Sequence, residues 1–274
     1  MRIASNPLAL GAQRVLSNVR QDQERAQSRL SSGDRIFEAA QDPSGLAISE
    51  KMKSHIVSMD QAGRNSQEAV SLFQVAEGAL DTIHGISGRL YELSIQAAND
   101  TMGNNERGLI DREFQTLKDE IRRISGSTNY NGRKLLDDSG QNYEMQVGIY
   151  NDKNERLNFD MGKILRKSNM FGAGNTSVGT KADAQRSIAS LADMVQEVSS
   201  SRAEIGALSS RMMSSFQNNR VAHENLSSSR SKIRDADFAS ETAKNVQAGL
   251  LKDTSIMSLK SITTTPRQVL KLIE

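Results

Sequence analysis

Between Pro43 and Pro266 the chain contains no proline. A proline inside a helix removes a hydrogen bond and clashes with the preceding turn, so this gap permits helices of unusual length. The apolar residues use that freedom. After Asn6-Pro7, an N-cap followed by proline at the first helical position, Leu8, Ala12, Val15, Val19, Gln23, Ala26 and Leu30 recur at alternating steps of four and three, and Ser32-Gly33 supplies a stop. Asp42-Pro43 repeats the start signal. Met52, Ile56, Met59, Ala69, Phe73, Ala76, Leu80, Ile83, Leu90, Leu93 and Ala97 then mark a long helix, with a polar turn at 99–105. Ile110, Phe114, Leu117, Ile121 and Ile124 mark a further one.

The character changes from residue 126 to 179, where Gly, Asn, Asp and Ser accumulate. Tyr143, Met145, Val147 and Ile149 alternate with polar or small residues, the polar turn 151–155 follows, and Leu157, Phe159 and Met161 alternate again. Period two, turn, period two predicts a β-hairpin. The Gly-rich stretch 171–179 reads as a loop. Thr180 and Asp183 resemble a capping box. The longest stripe follows, through Ile188, Leu191, Val195, Val198, Ile205, Met212, Phe216, Leu226 and Ile233. About 50 helical residues make a rod of ~75 Å, too long for one compact globule, so it must lie along other long helices. Asp235-Ala236-Asp237 predicts a cap for a last helix carrying Ala239, Ala243, Val246, Leu250, Met257 and Leu259. Thr265-Pro266 restarts a short apolar end at Val269, Leu270, Leu272 and Ile273. The two chain ends therefore match: each is a moderately apolar helix with a stripe too weak to stand alone, so each needs the other or neighbouring subunits.

Composition narrows the function. With 7 Phe, 4 Tyr and no Trp, the core must be built from Leu, Ile, Val, Met and Ala. The 35 basic and 33 acidic residues leave a net charge of +2, which argues against a nucleic-acid binder relying on bulk positive charge. Cysteine is absent, and with it disulfides, thiolate nucleophiles and Cys-ligated metals. No run reaches the ~18–20 apolar residues of a membrane span, and the N-terminus lacks the h-region of a secretory signal.

Catalytic chemistry finds no foothold. His55, His84 and His223 are single and lack the i, i+4 partner of a helical metal site. Gly103 and Gly108 have Walker-like spacing, but Leu109 and Ile110 stand where Lys and Ser/Thr would anchor a phosphate. Asp235 and Asp237 sit at a helix start, where capping outweighs acid–base work, and the 11 Met residues fall mostly on apolar stripes. The expectation is a non-enzymatic assembly protein without cofactor or metal. Its fold class is mainly α: a long-helix coiled-coil rod with a small β-hairpin and paired terminal helices.

Several segments carry a family resemblance. Arg29-Leu30-Ser31-Ser32-Gly33-Asp34-Arg35-Ile36 and Ala40-Gln41-Asp42-Pro43-Ser44-Gly45-Leu46-Ala47-Ile48 resemble the N-terminal signature of bacterial flagellins. Asn129-Tyr130-Asn131-Gly132-Arg133-Lys134-Leu135-Leu136, Met145-Gln146-Val147-Gly148 and the stretch from Ser228 to Ala239, with Arg230, Asp235 and Asp237, are similar to further family segments. So is the end Val269-Leu270-Lys271-Leu272-Ile273. The resemblance implies a filament subunit. Residues 1–42 and 235–274 would form the two halves of an inner coiled-coil domain, packed through Leu8, Val15, Val19, Leu30, Ala243, Val246 and Leu250. Residues 43–234 would form a helical rod carrying the hairpin at about 143–161. The span from Met161 to Thr180 is too short for an outer domain, so the form expected is a minimal one.

The family also implies export through the flagellar type III channel without a cleaved signal, to an extracellular filament. Implied partners are further copies of the chain, the export apparatus, an export chaperone, and cap and junction proteins. Neither nucleic acid nor membrane insertion is expected. Toll-like receptor 5 recognises family members through a Q-R-x-R-E-L-x-x-Q helix, which Arg89, Glu92, Leu93 and Gln96 match, Gly88 and Tyr91 depart from, and Glu113 accompanies from the next helix. A hook–filament junction protein shares similar end segments and is the alternative within this superfamily. A cytoplasmic coiled-coil adaptor is the alternative outside it, opposed by the Gly33–Gly45 signature and the hairpin.

Overall fold

The computed structural model describes residues 7–136, 142–160 and 176–273. It contains five α-helices among the described residues: α1 (Pro7–Ser32), α2 (Pro43–Ala98), α3 (Asn104–Ser127), α4 (Lys181–Arg234) and α5 (Phe238–Ile273). Between α3 and α4 lie four short strands, β1 (Asn129–Tyr130), β2 (Arg133–Lys134), β3 (Asn142–Gln146) and β4 (Arg156–Asp160). The chain divides into two compact units. One runs to Ile56 and resumes at Glu224; the other is Val57–His223. Both α2 and α4 contribute residues to each.

The helix boundaries follow local chemistry. Gly33 adopts φ +74° and donates its N–H to the Arg29 carbonyl at 2.9 Å, closing α1 with the left-handed residue that glycine tolerates best. Asp42 Oδ1 accepts the Gly45 N–H at 2.8 Å at the start of α2. Thr180 Oγ1 accepts the Asp183 N–H at 3.2 Å, but its hydroxyl donates to Asp183 Oδ2 at 2.6 Å in place of the Thr180 N–H, so only half of the expected capping box forms. Helix α5 runs through Pro266 rather than restarting there. Upstream of the proline, the Thr263 and Thr264 hydroxyls donate to the Leu259 and Lys260 carbonyls one turn back at 3.0 Å, contacts that favour a bend rather than a break. The Asn6 cap and Met161 lie outside the described residues, as does most of the predicted Gly-rich loop.

In the Val57–His223 unit, α2 buries Ala69, Phe73, Ala76, Leu80, Ile83, Leu90, Leu93 and Ala97, the predicted stripe. Against it pack Phe114, Ile121 and Ile124 of α3 and Leu191, Val198, Ile205 and Met212 of α4. Ser66, Ser87 and Ser94 interrupt the α2 stripe and are also buried. Each returns its hydroxyl to the carbonyl one turn back, at 2.7–2.9 Å, so no hydroxyl is buried unpaired. Buried Arg107 turns its guanidinium onto the Ala97 and Asn99 carbonyls at 2.8 and 2.9 Å, closing the C-terminus of α2. Gly103 is the N-cap of α3, which accounts for the Walker-like glycine.

The predicted hairpin is present, though shorter. β3 and β4 pair antiparallel with Tyr143 opposite Phe159 and Met145 opposite Leu157. Their rings stack at 5.3 Å, and Phe159 reaches Phe73 of α2 at 4.7 Å. Ile149 falls outside the strand: beyond Gln146 the N–H groups of Val147 and Gly148 both turn to the Glu155 carbonyl. A second hairpin, β1–β2, was not anticipated. Its turn residues Asn131 and Gly132 have φ +51° and +78°, the pair of left-handed conformations that a two-residue Asn-Gly loop supplies.

Candidate functional site

The signature residues converge where α1 gives way to α2 and α4 gives way to α5. Asp34 and Asp235 form an antiparallel bridge. The Arg35 N–H donates to the Arg234 carbonyl at 2.6 Å, and the Ala236 N–H donates to the Gly33 carbonyl at 2.9 Å. The side chains extend this two-rung ladder into a clamp. Arg35 donates Nε and Nη2 to the Ile233 carbonyl at 3.1 and 2.7 Å, capping the C-terminal end of α4 with positive charge. Arg234 returns the contact, donating Nε to Asp34 at 3.0 Å and Nη1 to Glu50 of α2. Asp34, then Glu50, hold its guanidinium above its ordinary pKa by accepting these bonds.

The acidic signature residues act locally. Asp235 accepts the Ser231 hydroxyl at 2.5 Å. Asp237 caps α5, taking the Ala239 and Ser240 N–H groups at 3.0 and 3.3 Å. Ile36 is buried, and it closes on Gly45 together with Asp42. A Cβ at Gly45 would stand 2.3 Å from the Asp42 carboxylate and 2.9 Å from Ile36 Cδ1. Thus Gly33, Arg35, Ile36, Asp42, Gly45, Asp235 and Asp237 each have a geometric task in one clamp. Leu30 is half-buried beside it, Ser31 is exposed, and Ser32 accepts the Asp34 N–H at 3.2 Å. Arg230 is half-buried one turn before the clamp.

Beyond the clamp α1 and α5 pair, as the matched ends implied. The seam follows the predicted α1 stripe at Ala12, Val19, Gln23, Ala26 and Leu30, which are buried or half-buried, and departs from the predicted α5 stripe. Ala26 and Ala248 are buried, at 3% and 7% exposure, whereas Leu8, Val246 and Leu250 are 70%, 58% and 65% exposed. Val15 and Ala243 are exposed too, and Val19 and Leu30 are half-buried. Five of the seven apolar residues assigned to packing therefore point away from the partner helix. Periodicity detects an apolar face but not what covers it. Polar groups carry much of the seam: Lys252 donates to Gln23 at 3.3 Å, and Arg29 meets buried Glu241 at 3.3 Å. Lys244 bonds the same Glu241 oxygen at 2.7 Å and, with Arg29, holds this carboxyl below its usual range. Arg234, Glu50 and Glu241 were not singled out from the sequence, because the contacts Arg234–Asp34, Arg234–Glu50 and Glu241–Arg29 span 200, 184 and 212 residues and leave no local pattern.

The four receptor-aligned residues separate. Arg89 forms exposed pairs with Glu113 at 3.0 Å and Glu92 at 3.2 Å, and Gln96 is exposed on the same helix. Leu93 is buried in the core and is not part of that surface, so its assignment as a contact is corrected. Among the described residues no group of three or more His, Cys, Asp or Glu could hold a metal, and no helix is long and apolar enough to cross a membrane.

Comparison with known proteins agrees with this geometry. The bacterial flagellin N-terminal helical region matches residues 3–141, and the bacterial flagellin C-terminal helical region matches residues 188–273. A flagellin of Halalkalibacterium halodurans is 36% identical over 274 residues, covering 100% of both chains. A flagellin of Bacillus subtilis is 34% identical over 309 residues, and the flagellar filament 30.7 kDa core protein of Treponema maltophilum 33% over 287, each covering 100% of both chains. The crystal structure of Bacillus cereus flagellin superposes with a TM-score of 0.51 at 29% identity, covering 57% of this chain and 88% of that one.

Proposed function

The chain belongs to the bacterial flagellin family, and on that premise we propose that copies of it assemble through the apolar faces that α1 and α5 leave uncovered. It is a structural subunit in a minimal form. The observation that carries the proposal is the exposure of Leu8, Val15, Val246, Leu250 and Met257 on two helices already paired with each other. A row of large apolar side chains facing solvent on a paired element is an interaction surface, and burying such area from several copies is what drives association.

On this reading the subunit is exported unfolded and lies in the extracellular flagellar filament. Its other partners are the export apparatus, an export chaperone, and cap and junction proteins. Toll-like receptor 5 would meet the exposed Arg89, Gln96 and Glu113 rather than Leu93. The test is seeded polymerisation of concentrated protein, followed by sedimentation and electron microscopy. Long helical filaments are expected. Growth that stops at a short ring would favour the hook–filament junction reading, and a chain that stays monomeric on seeds would overturn both.

A further inference from the structure

We propose that Met257 is an oxidation site that controls entry into the polymer: conversion of its thioether to the sulfoxide, by a two-electron oxygen donor of the peroxide class, keeps a subunit from joining, while subunits already joined are shielded. This deepens the assembly reading and rests on it. The chain contains neither Cys nor Trp, so its thioethers are the side chains that mild oxidants attack first. Met194 and Met212 are buried, at 4% and 0% exposure, and Met52, Met59, Met102 and Met145 are half-buried. Met213 of α4 is 51% exposed and Met257 of α5 is 71% exposed. Met1, Met161 and Met170 lie outside the described residues. Susceptibility follows exposure, which puts Met257 first among the described methionines.

Its place on α5 gives the change a consequence. An α-helix turns by ~100° per residue. On that count Ala239, Ala243, Val246, Leu250 and Met257 lie within about 60° of one another, and all five are exposed. Glu241 and Lys252, which bond Arg29 and Gln23 of α1, fall on the opposite side. Met257 therefore stands in the apolar stripe turned away from α1. Ala, Val and Leu carry nothing that a peroxide oxidises, so Met257 is the oxidisable member of this stripe among the described residues. Oxidation adds one oxygen to sulfur. The S–O bond forms as the peroxide O–O bond breaks. Sulfur gives up two electrons, and the departing hydroxide takes the proton left on the transferred oxygen and leaves as water. The product is polar and chiral. In the single subunit it stays hydrated. Covered by another copy, it must give up that water, and less apolar area is left to drive association.

The test treats the soluble full chain with hydrogen peroxide, removes the oxidant, adds seeds, and sediments the polymer, with modified residues read by peptide mass spectrometry. Met257 should oxidise about tenfold faster than Met194 or Met212, and the oxidised chain should need about a tenfold higher concentration to grow. Methionine sulfoxide reductases acting on both epimers should restore growth. Met257→Leu keeps the face apolar, so it should polymerise normally and go on doing so after peroxide, whereas Met213→Leu should stay sensitive. Met257→Gln, similar in length but polar, should need the higher concentration with no oxidant present. In finished polymer Met257 should be modified about tenfold more slowly than in the soluble chain. Growth of Met257→Gln at the wild-type concentration overturns the proposal. So does loss of growth in peroxide-treated Met257→Leu, which would place the sensitive methionine elsewhere. If the untreated chain does not polymerise on seeds, the assembly reading falls. Peptide mapping of the soluble chain still decides whether Met257 is the site, and oxidation there no faster than at Met194 or Met212 overturns that part as well.

Discussion

Arg35 donates Nη2 to the carbonyl of Ile233 at 2.7 Å, across a sequence separation of 198 residues. A neutral acceptor at the end of a long helix thus meets a fixed cation from the linker that follows the first helix. Charged donors of this kind bond more strongly than neutral ones, and the last carbonyls of a helix carry the negative end of its dipole. The contact explains why an arginine follows the Gly33 stop. Gly33 turns the chain out of α1, and two residues later Arg35 ties it to the end of α4.

Gly45→Ala should loosen the start of α2. The added methyl cannot coexist with Asp42 at 2.3 Å and Ile36 at 2.9 Å, so either the cap or the Ile36 packing gives way. A cost of roughly 1–3 kcal/mol is expected. Denaturant melts of wild type and variant measure it; equal midpoints would show that the close approach is not limiting.

Val246→Asp should abolish filament growth and leave the thermal midpoint of the soluble chain within about 1 °C, because the substituted side chain is exposed in the single subunit. Leu30→Asp should also block growth, with a small stability loss, since Leu30 is half-buried. Pelleting assays and circular dichroism separate the two effects. Filaments of normal length from Val246→Asp would remove α5 from the assembly surface.

The terminal pairing should weaken in acid. Lys244, then Arg29, lower the pKa of Glu241 in the folded pair. Its contribution is therefore complete above the unfolded glutamate value, ~4.3, and is lost as pH falls through the lower folded value. In filaments, protection of the α1 and α5 amides, taken relative to intrinsic exchange at each pH, should fall between about pH 5 and pH 3 in wild type and change less in Glu241→Gln. Identical profiles would show that another carboxylate governs the loss.

Amides in 8–30 and 239–260 should exchange freely in dilute monomer and become protected in filaments. Ala26 is the one buried residue of α1 among those described, too little to offset ~1–2 kcal/mol of backbone ordering per residue. Strong protection in dilute monomer would contradict this.

Receptor activation should be weaker than for a flagellin with the full Q-R-x-R-E-L helix. Tyr91 lacks the forked cation that the motif places there, and Gly88 lacks the amide. Nothing lies within 4 Å of a Cβ at Gly88, so Gly88→Gln is sterically free. Reporter-cell titration should show higher potency for Gly88→Gln plus Tyr91→Arg. No gain would mean that these two positions do not limit recognition.

The sequence announced its helix ends clearly, because each depends on neighbours in the chain: Pro7, Asp42-Pro43, Gly33 and Asp237 stand at or beside the boundaries observed. It announced β3–β4 for the same reason, through the alternation of Tyr143 and Met145 with Leu157 and Phe159. β1–β2 has two residues per strand, too few for alternation to register, and only Asn131-Gly132 signalled it. The cross-chain contacts that join the clamp and the α1–α5 seam were illegible for a deeper reason. Arg234 with Asp34, and Arg29 with Glu241, are each pairs of ordinary surface-type residues until the fold brings them together. Leu8, Val15 and Val246 are exposed, and periodicity carries no information about whether the cover of an apolar face comes from the same chain or another.

The partner of α1 is the last helix of the chain. During synthesis at ~5–20 residues per second, α1 therefore waits on the order of ten seconds or more before α5 exists. The same order holds for any passage in which the N-terminus emerges first. Through that interval its exposed Leu8, Leu10 and Val15 stand open to solvent whether or not α5 is present, so pairing with α5 covers little of the apolar surface that α1 shows while it waits.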